Sequence, residues 1–318
     1  DFLMSDENPE NIKGPLSSLS EDQFPDRKFD YMITNPPFGV SWKSEEEFIK
    51  NESKDVNGRF SVGTPRTSDG SLLFLQHLIH KMESSGSRIG IVFNGSPLFT
   101  GDAGGGESEI RKWIIENDWL ECIIELPERM FFNTSIKTYI WIVTNKKSSN
   151  RKGKVQLIDA SSFGSLMRKN LGDKSKYISD ENIKNLISIY LSNKENEFCK
   201  IYSNSFFGYT KITIEQPLVE NQKIKRDKKN NIKPDPSKRD YERVPLEEDI
   251  NKYYKREVEP HLQHSYIDRS KDKIGYEINF TKYFYKFSEL RSLKDILKDL
   301  ESVDNEISKI SNDLLNEK

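Results

Sequence analysis

FDYMITNPPF, residues 29–38, is an apolar run that ends at an Asn-Pro-Pro-Phe sequence. The apolar part predicts a short buried strand. Two consecutive prolines cannot extend that strand, because their rings fix φ and they carry no backbone N–H, so the chain has to turn at Asn35. Open α/β sheets bind their ligands at the carboxyl ends of their strands. The stretch therefore predicts a sheet and also the edge of that sheet at which a functional site would lie.

The sequence around this stretch alternates between apolar runs and amphipathic runs as far as residue 160. This alternation predicts a mainly parallel sheet with helices on its faces, and continuous β-branched strands suit a sheet that is covered on both sides. We expect an α/β, Rossmann-like fold whose last strand pairs with the strand before it across a turn-rich segment. The predicted elements are a helix over 69–82 and strands over 29–34, 88–93, 120–125, 139–144 and 154–159.

Composition limits the classes of protein to consider. The net charge is only −2, so binding of a polyanion would have to rest on local patches or on another subunit. No run approaches the ~18 apolar residues of a membrane span, and Cys122 and Cys199 frame no disulfide or metal pattern. Two histidine pairs lack carboxylate or cysteine neighbours, so no metal site is expected. We expect a cytoplasmic protein without a membrane partner.

The chemistry of the Asn-Pro-Pro-Phe turn fits methylation of an aromatic amine. Such a nitrogen is a poor nucleophile, because its lone pair is delocalised into the ring. Two acceptors for its N–H groups, the Asn35 side-chain oxygen and the Pro36 carbonyl, would return electron density to it. Pro37 makes the turn rigid, and Phe38 offers a face on which a base can stack, worth ~1–3 kcal/mol. The alternative is a plain turn, since Asn-Pro commonly opens turns.

Several further stretches carry a resemblance to a known family. Together with the motif, they are similar to the modification (M) subunit of type I restriction-modification systems. The resemblance implies an adenine-N6 DNA methyltransferase that transfers the methyl group of S-adenosylmethionine to a flipped-out adenine, with Asn35, Pro36, Pro37 and Phe38 as catalytic residues. It also implies a complex on double-stranded DNA with a second M subunit, a specificity subunit and a restriction subunit. The stretches are 29–42, 68–82, 96–107, 125–141, 239–261 and 274–287.

The resemblance also implies that part of the family's fold precedes residue 1. The N-terminal helical domain, the glycine-rich cofactor loop and the acidic ribose ligand of the family have no counterpart here, so the sheet is expected to be truncated in its N-terminal half. Asn35 would then supply only the floor of the cofactor pocket, and the isolated chain would be inactive. In the family's strand order 3-2-1-4-5-7-6, strand 4 is residues 31–34. We expect an open edge there, with residues 11–19 irregular.

Two features near the target site are more ambiguous. Phe131 and Phe132 resemble the family's second aromatic wall for a flipped-out base, but they could equally fill the core beneath a long loop. Where the family often reads Gly-Ile-Pro, this chain reads Ser135-Ile136-Lys137, and Lys137 could contact a phosphate.

The remainder of the chain is expected to form two further regions. Residues 1–160 would hold the partial methyltransferase domain, and residues 161–287 a mostly helical C-terminal extension with a mobile lysine-rich loop near 221–240. Residues 288–318 have an a/d pattern over about three heptads, which predicts an assembly helix that packs on a partner. The seam residues are Leu293, Ile296, Leu300, Val303, Ile307, Ile310 and Leu314.

Two alternative functions stay open at this point. Methyltransferases acting on RNA or on protein glutamine also use Asn-Pro-Pro followed by an aromatic residue. A non-catalytic fragment that only binds DNA or assembles with partner subunits is the alternative from another class, and S-adenosylmethionine binding would separate it from an enzyme.

Overall fold

The computed structural model describes residues 17–132, 134–220, 223–227, 229–262, 264–285 and 292–316. The chain forms two compact units, residues 1–283 and residues 284–318. The strands are β1 Tyr31–Thr34, β2 Arg88–Asn94, β3 Leu120–Glu125, β4 Thr138–Thr144, β5 Lys154–Asp159, β6 Gly164–Leu171, β7 Lys174–Ile178, β8 Cys199–Ser203, β9 Gly208–Glu215, β10 Val219–Glu220, β11 Lys223–Ile224, β12 Asp240–Pro245, β13 Tyr266–Ile267 and β14 Lys273–Tyr276. The α-helices are α1 Ser17–Ser20, α2 Glu46–Glu52, α3 Ser71–His80, α4 Ser96–Phe99, α5 Gly106–Glu116, α6 Asp180–Ser192, α7 Ile250–Tyr253, α8 Phe280–Phe284 and α9 Leu293–Asn316.

The main sheet has six strands in the order β1-β2-β4-β3-β5-β8. β1 is parallel to β2 and β3 is parallel to β5, whereas β4 is antiparallel to both of its neighbours. The first four positions match the expected 4-5-7-6 part of the family order, which confirms the α/β, Rossmann-like fold. The carboxyl ends of β1, β2, β3 and β5 and the amino end of β4 therefore share one edge, called here the target edge.

One predicted pairing is wrong. The strand over 154–159 was expected to form a hairpin with 139–144, but β3 lies between them and pairs with both. All six residues of β3 are buried, so this strand needs neighbours on both sides. The turn signals between β4 and β5 specify that the chain reverses, but they do not specify which strand it reaches. The antiparallel strand at the far edge is β8, which pairs with β5.

The expectation of a mostly helical extension over 161–287 is also wrong. This region contains the β6–β7 hairpin and a small sheet in which β9 pairs with β12, β13 and β14. β9, with the sequence GYTKITIE, places Ile212 and Ile214 in a fully buried cluster with Val244. Alternation with β-branched residues favours a strand over a helix.

The lysine-rich segment near 221–240, expected to be a mobile loop, is a short hairpin in its described part. Bridges join Pro217 to Pro234 and Arg226 to Ile232. At the turn, the Asp227 carboxylate accepts hydrogen bonds from the backbone N–H groups of Lys229 and Asn231. Asx turns of this kind give a polar segment a defined backbone conformation.

The small sheet is fixed to the target edge by a buried arginine. Arg111 in α5 is 0% exposed. Its guanidinium donates to the carbonyl of Tyr276 at the end of β14, with an Nε–O distance of 2.6 Å, and to the carbonyl of Pro97 in α4, at 3.1 Å. Because α4 follows β2, this contact joins the extension to the segment that leaves the target edge.

The β1 edge of the main sheet is open among the described residues, as expected. β1 pairs only with β2, and Tyr31 and Ile33 are 77% and 92% exposed, whereas Met32 faces the core. Residues 17–20 form α1, so they are not a central strand. Residues 11–16, also expected to be irregular, lie outside the described part of the chain.

The second unit contains α9, a single 24-residue helix. The prediction of one helix over about 289–316 is confirmed for 293–316. The seam positions from Leu293 to Ile310 are 41–73% exposed, and the side chain of Leu314 lies outside the described residues. The boundary near residue 160 stays a prediction.

Candidate active site

The Asn-Pro-Pro-Phe turn begins directly after β1, at the target edge. Asn35 is exposed, Pro36 is buried, and Pro37 and Phe38 are half-buried. Among the described residues the Asn35 side chain has no hydrogen-bond partner, so its amide is available to a ligand. Gly39 has φ +62°, a left-handed conformation that suits glycine and lets the chain leave the turn directly behind Phe38.

The neighbouring strand end contributes a polar pocket. It lies where α3 and α5 both begin, and in the turn before α3 the Asp69 carboxylate accepts a hydrogen bond from the Ser71 N–H at 3.1 Å. Arg66 donates to the Ser96 hydroxyl at 3.0 Å, and the Glu107 carboxylate accepts from the Arg66 backbone N–H at 2.9 Å. This pocket could not be recognised from the sequence, because its residues come from three separate segments. Its lining is Pro65, Arg66, Asp69, Ser71, Leu72, Ser96, Pro97 and Glu107.

The other half of the edge holds a buried carboxylate. Glu125 ends β3 and is 3% exposed, and its Oε1 lies 2.8 Å from Lys137 Nζ. Burial raises the pKa of Glu125, and the hydrogen bond to Glu125 raises the pKa of Lys137. Burial, with Glu125 nearby, also raises the pKa of Tyr139, whose ring centroid lies 5.3 Å from that of Phe280. Lys137, considered above for a phosphate contact, is thus paired with a carboxylate in this structure.

The two phenylalanines of the following loop have different surroundings. Phe131 is half-buried and packs against the buried cluster that includes Ile124, Leu126 and Ile158. Phe132 is 60% exposed, and Lys174 Nζ lies 4.9 Å from its ring centroid. The packing of Phe131 corresponds to a core residue, whereas only Phe132 presents a ring that a base could reach.

The structure brings both halves of the predicted site to one edge. β1 and β3 are three strand positions apart, which corresponds to about 14 Å at ~4.8 Å per strand. The turn with Asn35 and Phe38 therefore lies at the same edge as the loop that carries Phe132, with the ends of β2 and β4 between them. Tyr139, Glu125 and Phe280 were missed from the sequence. The position of Glu125 at the carboxyl end of an apolar strand was a signal that could have identified it.

Neither a metal centre nor a membrane span emerges from the residues described. No group of three or more His, Cys, Asp or Glu side chains in that part of the chain could hold a metal ion. No helix within it is long and apolar enough to cross a bilayer. His77, one of the histidines of α3, instead accepts a hydrogen bond from Arg59, with Nη1–Nδ1 at 3.0 Å.

Comparison with known proteins gives a family match. The model of the N-6 DNA methylase family matches residues 3–207, which is more than half of the chain. Two similar curated proteins are methylase subunits of type I restriction enzymes. HindI from Haemophilus influenzae is 34% identical over 156 residues, 49% of this chain and 33% of that protein. MjaIX from Methanocaldococcus jannaschii is 29% identical over 175 residues, 54% of this chain and 29% of that protein.

One solved structure is also similar to this chain. The methyltransferase subunit of a type I restriction-modification system from Streptococcus thermophilus is 28% identical, with a TM-score of 0.49, and covers 59% of this chain and 37% of that one. The matched part of the chain spans about a third of the length of the curated relatives.

Proposed function

The chain belongs to the N-6 DNA methylase family, and from that premise we propose that its target edge is the base-binding half of an adenine-N6 DNA methyltransferase site. The observation that carries the proposal is the exposed side chain of Asn35 at the carboxyl end of β1, which has no hydrogen-bond partner in the described part of the chain. The type I methylase subunits among its relatives point to a catalytic subunit of a type I restriction-modification complex.

In the proposed reaction, the chain's own residues hold the amine. The Asn35 side-chain oxygen and the Pro36 carbonyl accept hydrogen bonds from the two N–H groups of N6, which directs the nitrogen lone pair away from them. Phe38 stacks on one face of the flipped-out base, and Phe132 is assigned as the aromatic wall on its other face. The proton lost from N6 can leave after the methyl group has been attached, so no general base is assigned.

The proposed cofactor is S-adenosylmethionine, which supplies an electrophilic methyl group when it is bound. The residues present fit part of its site, because the Asn35 amide has no hydrogen-bond partner among the described residues, and we assign it to the floor of the cofactor pocket. The binding of the rest of the cofactor is not assigned to residues of this chain, and we propose that the chain alone is inactive.

We propose a second copy of the subunit, a specificity subunit, a restriction subunit and double-stranded DNA as partners in the cytoplasm. The exposed seam of α9 supports a helical partner. Burial of a seven-residue aliphatic seam in a coiled coil is favourable, since each aliphatic side chain contributes roughly 1.5–3 kcal/mol. Among the candidate partners, the specificity subunit is the one assigned to this seam.

The test is the identity of the methylated product. The complete protein that carries this chain, with its partner subunits, is incubated with labelled S-adenosylmethionine and with DNA, RNA or a protein substrate. Label recovered as N6-methyladenine in DNA supports the proposal. Label in RNA or in glutamine supports the alternative within the same chemical class, and no transfer with intact DNA binding supports a non-catalytic subunit.

A further inference from the structure

The β6–β7 hairpin, residues 164–178, follows the end of β5 after four intervening residues. It therefore starts at the target edge. We infer that this hairpin is a contact surface for the phosphate backbone of duplex DNA beside the extruded base. The inference rests on the proposed function, because it names how that site holds its substrate.

The hairpin is attached to the loop that carries the two candidate stacking residues. The backbone N–H groups of Ser175 and Lys176 donate to the carbonyl of Arg129, at 3.0 and 3.1 Å. At the base of the hairpin, Phe163 and Ile178 pack against the same buried cluster as Phe131. A hairpin anchored in this way moves with the loop, so a contact made by one positions the other.

The charge of the hairpin differs from that of the whole chain. Residues 164–178 contain four basic residues and one acidic residue, Asp173, in a protein of net charge −2. In the part of the chain that the structure describes, none of the four basic side chains forms an ion pair with a carboxylate. Lysines elsewhere near this edge are paired, Lys137 with Glu125 and Lys211 with Asp102. The unpaired side chains are Arg168, Lys169, Lys174 and Lys176.

Unpaired cations beside the proposed base-binding site are suited to binding phosphates. Neutralising phosphates releases condensed counterions, which drives binding at moderate salt. Lys174 already lies over the Phe132 ring, so a phosphate bound there would be adjacent to the proposed stacking position. Lysines that already form ion pairs with carboxylates would have to break those pairs before they could bind a phosphate.

The apolar side chains of the hairpin fit the same partner. Leu166 is 76% exposed and Leu171, beside the tip at Gly172, is 47% exposed. A two-stranded hairpin is only marginally stable by itself in water, so exposed leucines on it gain from a contact. Apolar side chains can enter a DNA groove while neighbouring cations meet the phosphates.

The test compares two double charge reversals in the full chain. Arg168→Glu with Lys169→Glu changes the hairpin, whereas Lys152→Glu with Lys154→Glu makes the same charge change just before β5 and at its first residue, at the opposite edge of the sheet. Both control lysines are exposed. Binding of a fluorescent duplex of about 20 base pairs is followed by anisotropy from about 50 to about 200 mM NaCl, the range over which phosphate contacts lose affinity.

We expect the hairpin variant to bind roughly tenfold more weakly at the lowest salt, and the slope of log K against log salt to fall by about 1.8, or about 0.9 per lost phosphate contact. The control variant keeps the unchanged chain's affinity and slope. Equal losses in the two variants, no loss in either, no duplex binding by the unchanged chain, or tighter binding of an RNA duplex would each contradict the inference.

The outcome is separable from the proposed function. If the hairpin variant loses DNA binding but the complete protein transfers no methyl group to adenine, the hairpin surface stands and the proposed reaction fails. If methyl transfer occurs and the hairpin variant binds DNA like the control, the reaction stands and the hairpin inference fails.

Discussion

Lys137 Nζ lies 2.8 Å from Glu125 Oε1, so one ion pair joins the two ends of the loop over 126–137. Glu125 is the last residue of β3, and Lys137 directly precedes β4. The loop between them carries Phe131 and Phe132. The pair therefore restricts the position of the Phe132 ring that we propose for base stacking. The Glu125 side chain is only 4% exposed, so water cannot readily replace Lys137 as its partner.

Replacing Lys137 with Met should loosen this loop. The buried Glu125 carboxylate would lose its partner, which costs about 1–3 kcal/mol, whereas Lys137→Arg should keep the pair. Hydrogen exchange measured by mass spectrometry should show faster exchange within 126–132 and 134–137 in the Met variant only. Equal exchange in the Met and Arg variants would show that packing of Phe131, not the ion pair, fixes the loop.

His77 should make stability depend on pH. Burial, together with the nearby charge of Arg59, lowers its pKa from 6.5 to about 4. Between these values the unfolded chain binds a proton that the folded chain excludes. Stability is therefore complete above about pH 6.5 and falls as the pH drops towards 4, by an amount on the order of 3 kcal/mol at ~1.4 kcal/mol per pKa unit.

Urea unfolding at several pH values between these limits measures this contribution. His77→Gln should remove part of the acid sensitivity, while His261→Gln, a change at an exposed histidine, should leave it unchanged. A His77 variant with the same pH dependence as the unchanged chain would contradict the assignment.

The open edge of β1 should promote self-association. Ile33 is 92% exposed on β1, which among the described residues has a neighbouring strand on one side only. A charge on such an edge strand blocks edge-to-edge pairing. Ile33→Lys should lower the fraction of large species seen by light scattering and change stability by less than about 0.5 kcal/mol. Ile183→Lys, at a 43% exposed position on α6, is the control and should not alter association.

The seam of α9 should be needed for assembly. Leu300→Asp with Ile307→Asp places two charges on the seam, and Ser302→Asp with Ser308→Asp places them at polar positions of the same helix. Only the first pair should abolish co-purification with the specificity subunit, while the circular dichroism of the α/β unit stays the same. Normal assembly of the seam variant would leave α9 without the role proposed here.

The strands of the sheet could be predicted because their signals are local, whereas their order was implied by the family resemblance. The apolar run before Asn35 and the strands that follow are specified by residue type and length, so β1, β2 and β3 appear where the sequence indicates. The neighbour of β5 could not be predicted in this way. β5 pairs with β3 and not with β4, because β3 is fully buried and β4 already occupies one of its two sides. The other side of β3 is the one that is free for β5.

The candidate site was predictable only where one segment contains it. The turn at Asn35 can be read from four consecutive residues. The Glu125–Lys137 pair and the pocket near Arg66 join residues that are distant in sequence, and the β6–β7 hairpin has no continuous apolar face. Five of the eight residues of β6 are exposed, so hydrophobic periodicity indicated no strand there.

The most direct test of the central claim is the rate of methyl transfer by the complete protein carrying Asn35→Ala. Loss of one positioned hydrogen-bonding group at a reacting centre lowers a rate by roughly 100- to 1,000-fold, and we expect at least that loss with an unchanged melting temperature. Asn51→Ala, an exposed position on α2, should retain the full rate. An Asn35→Ala protein that methylates adenine in DNA as fast as the Asn51→Ala protein would contradict the assignment of this turn as the target-base site.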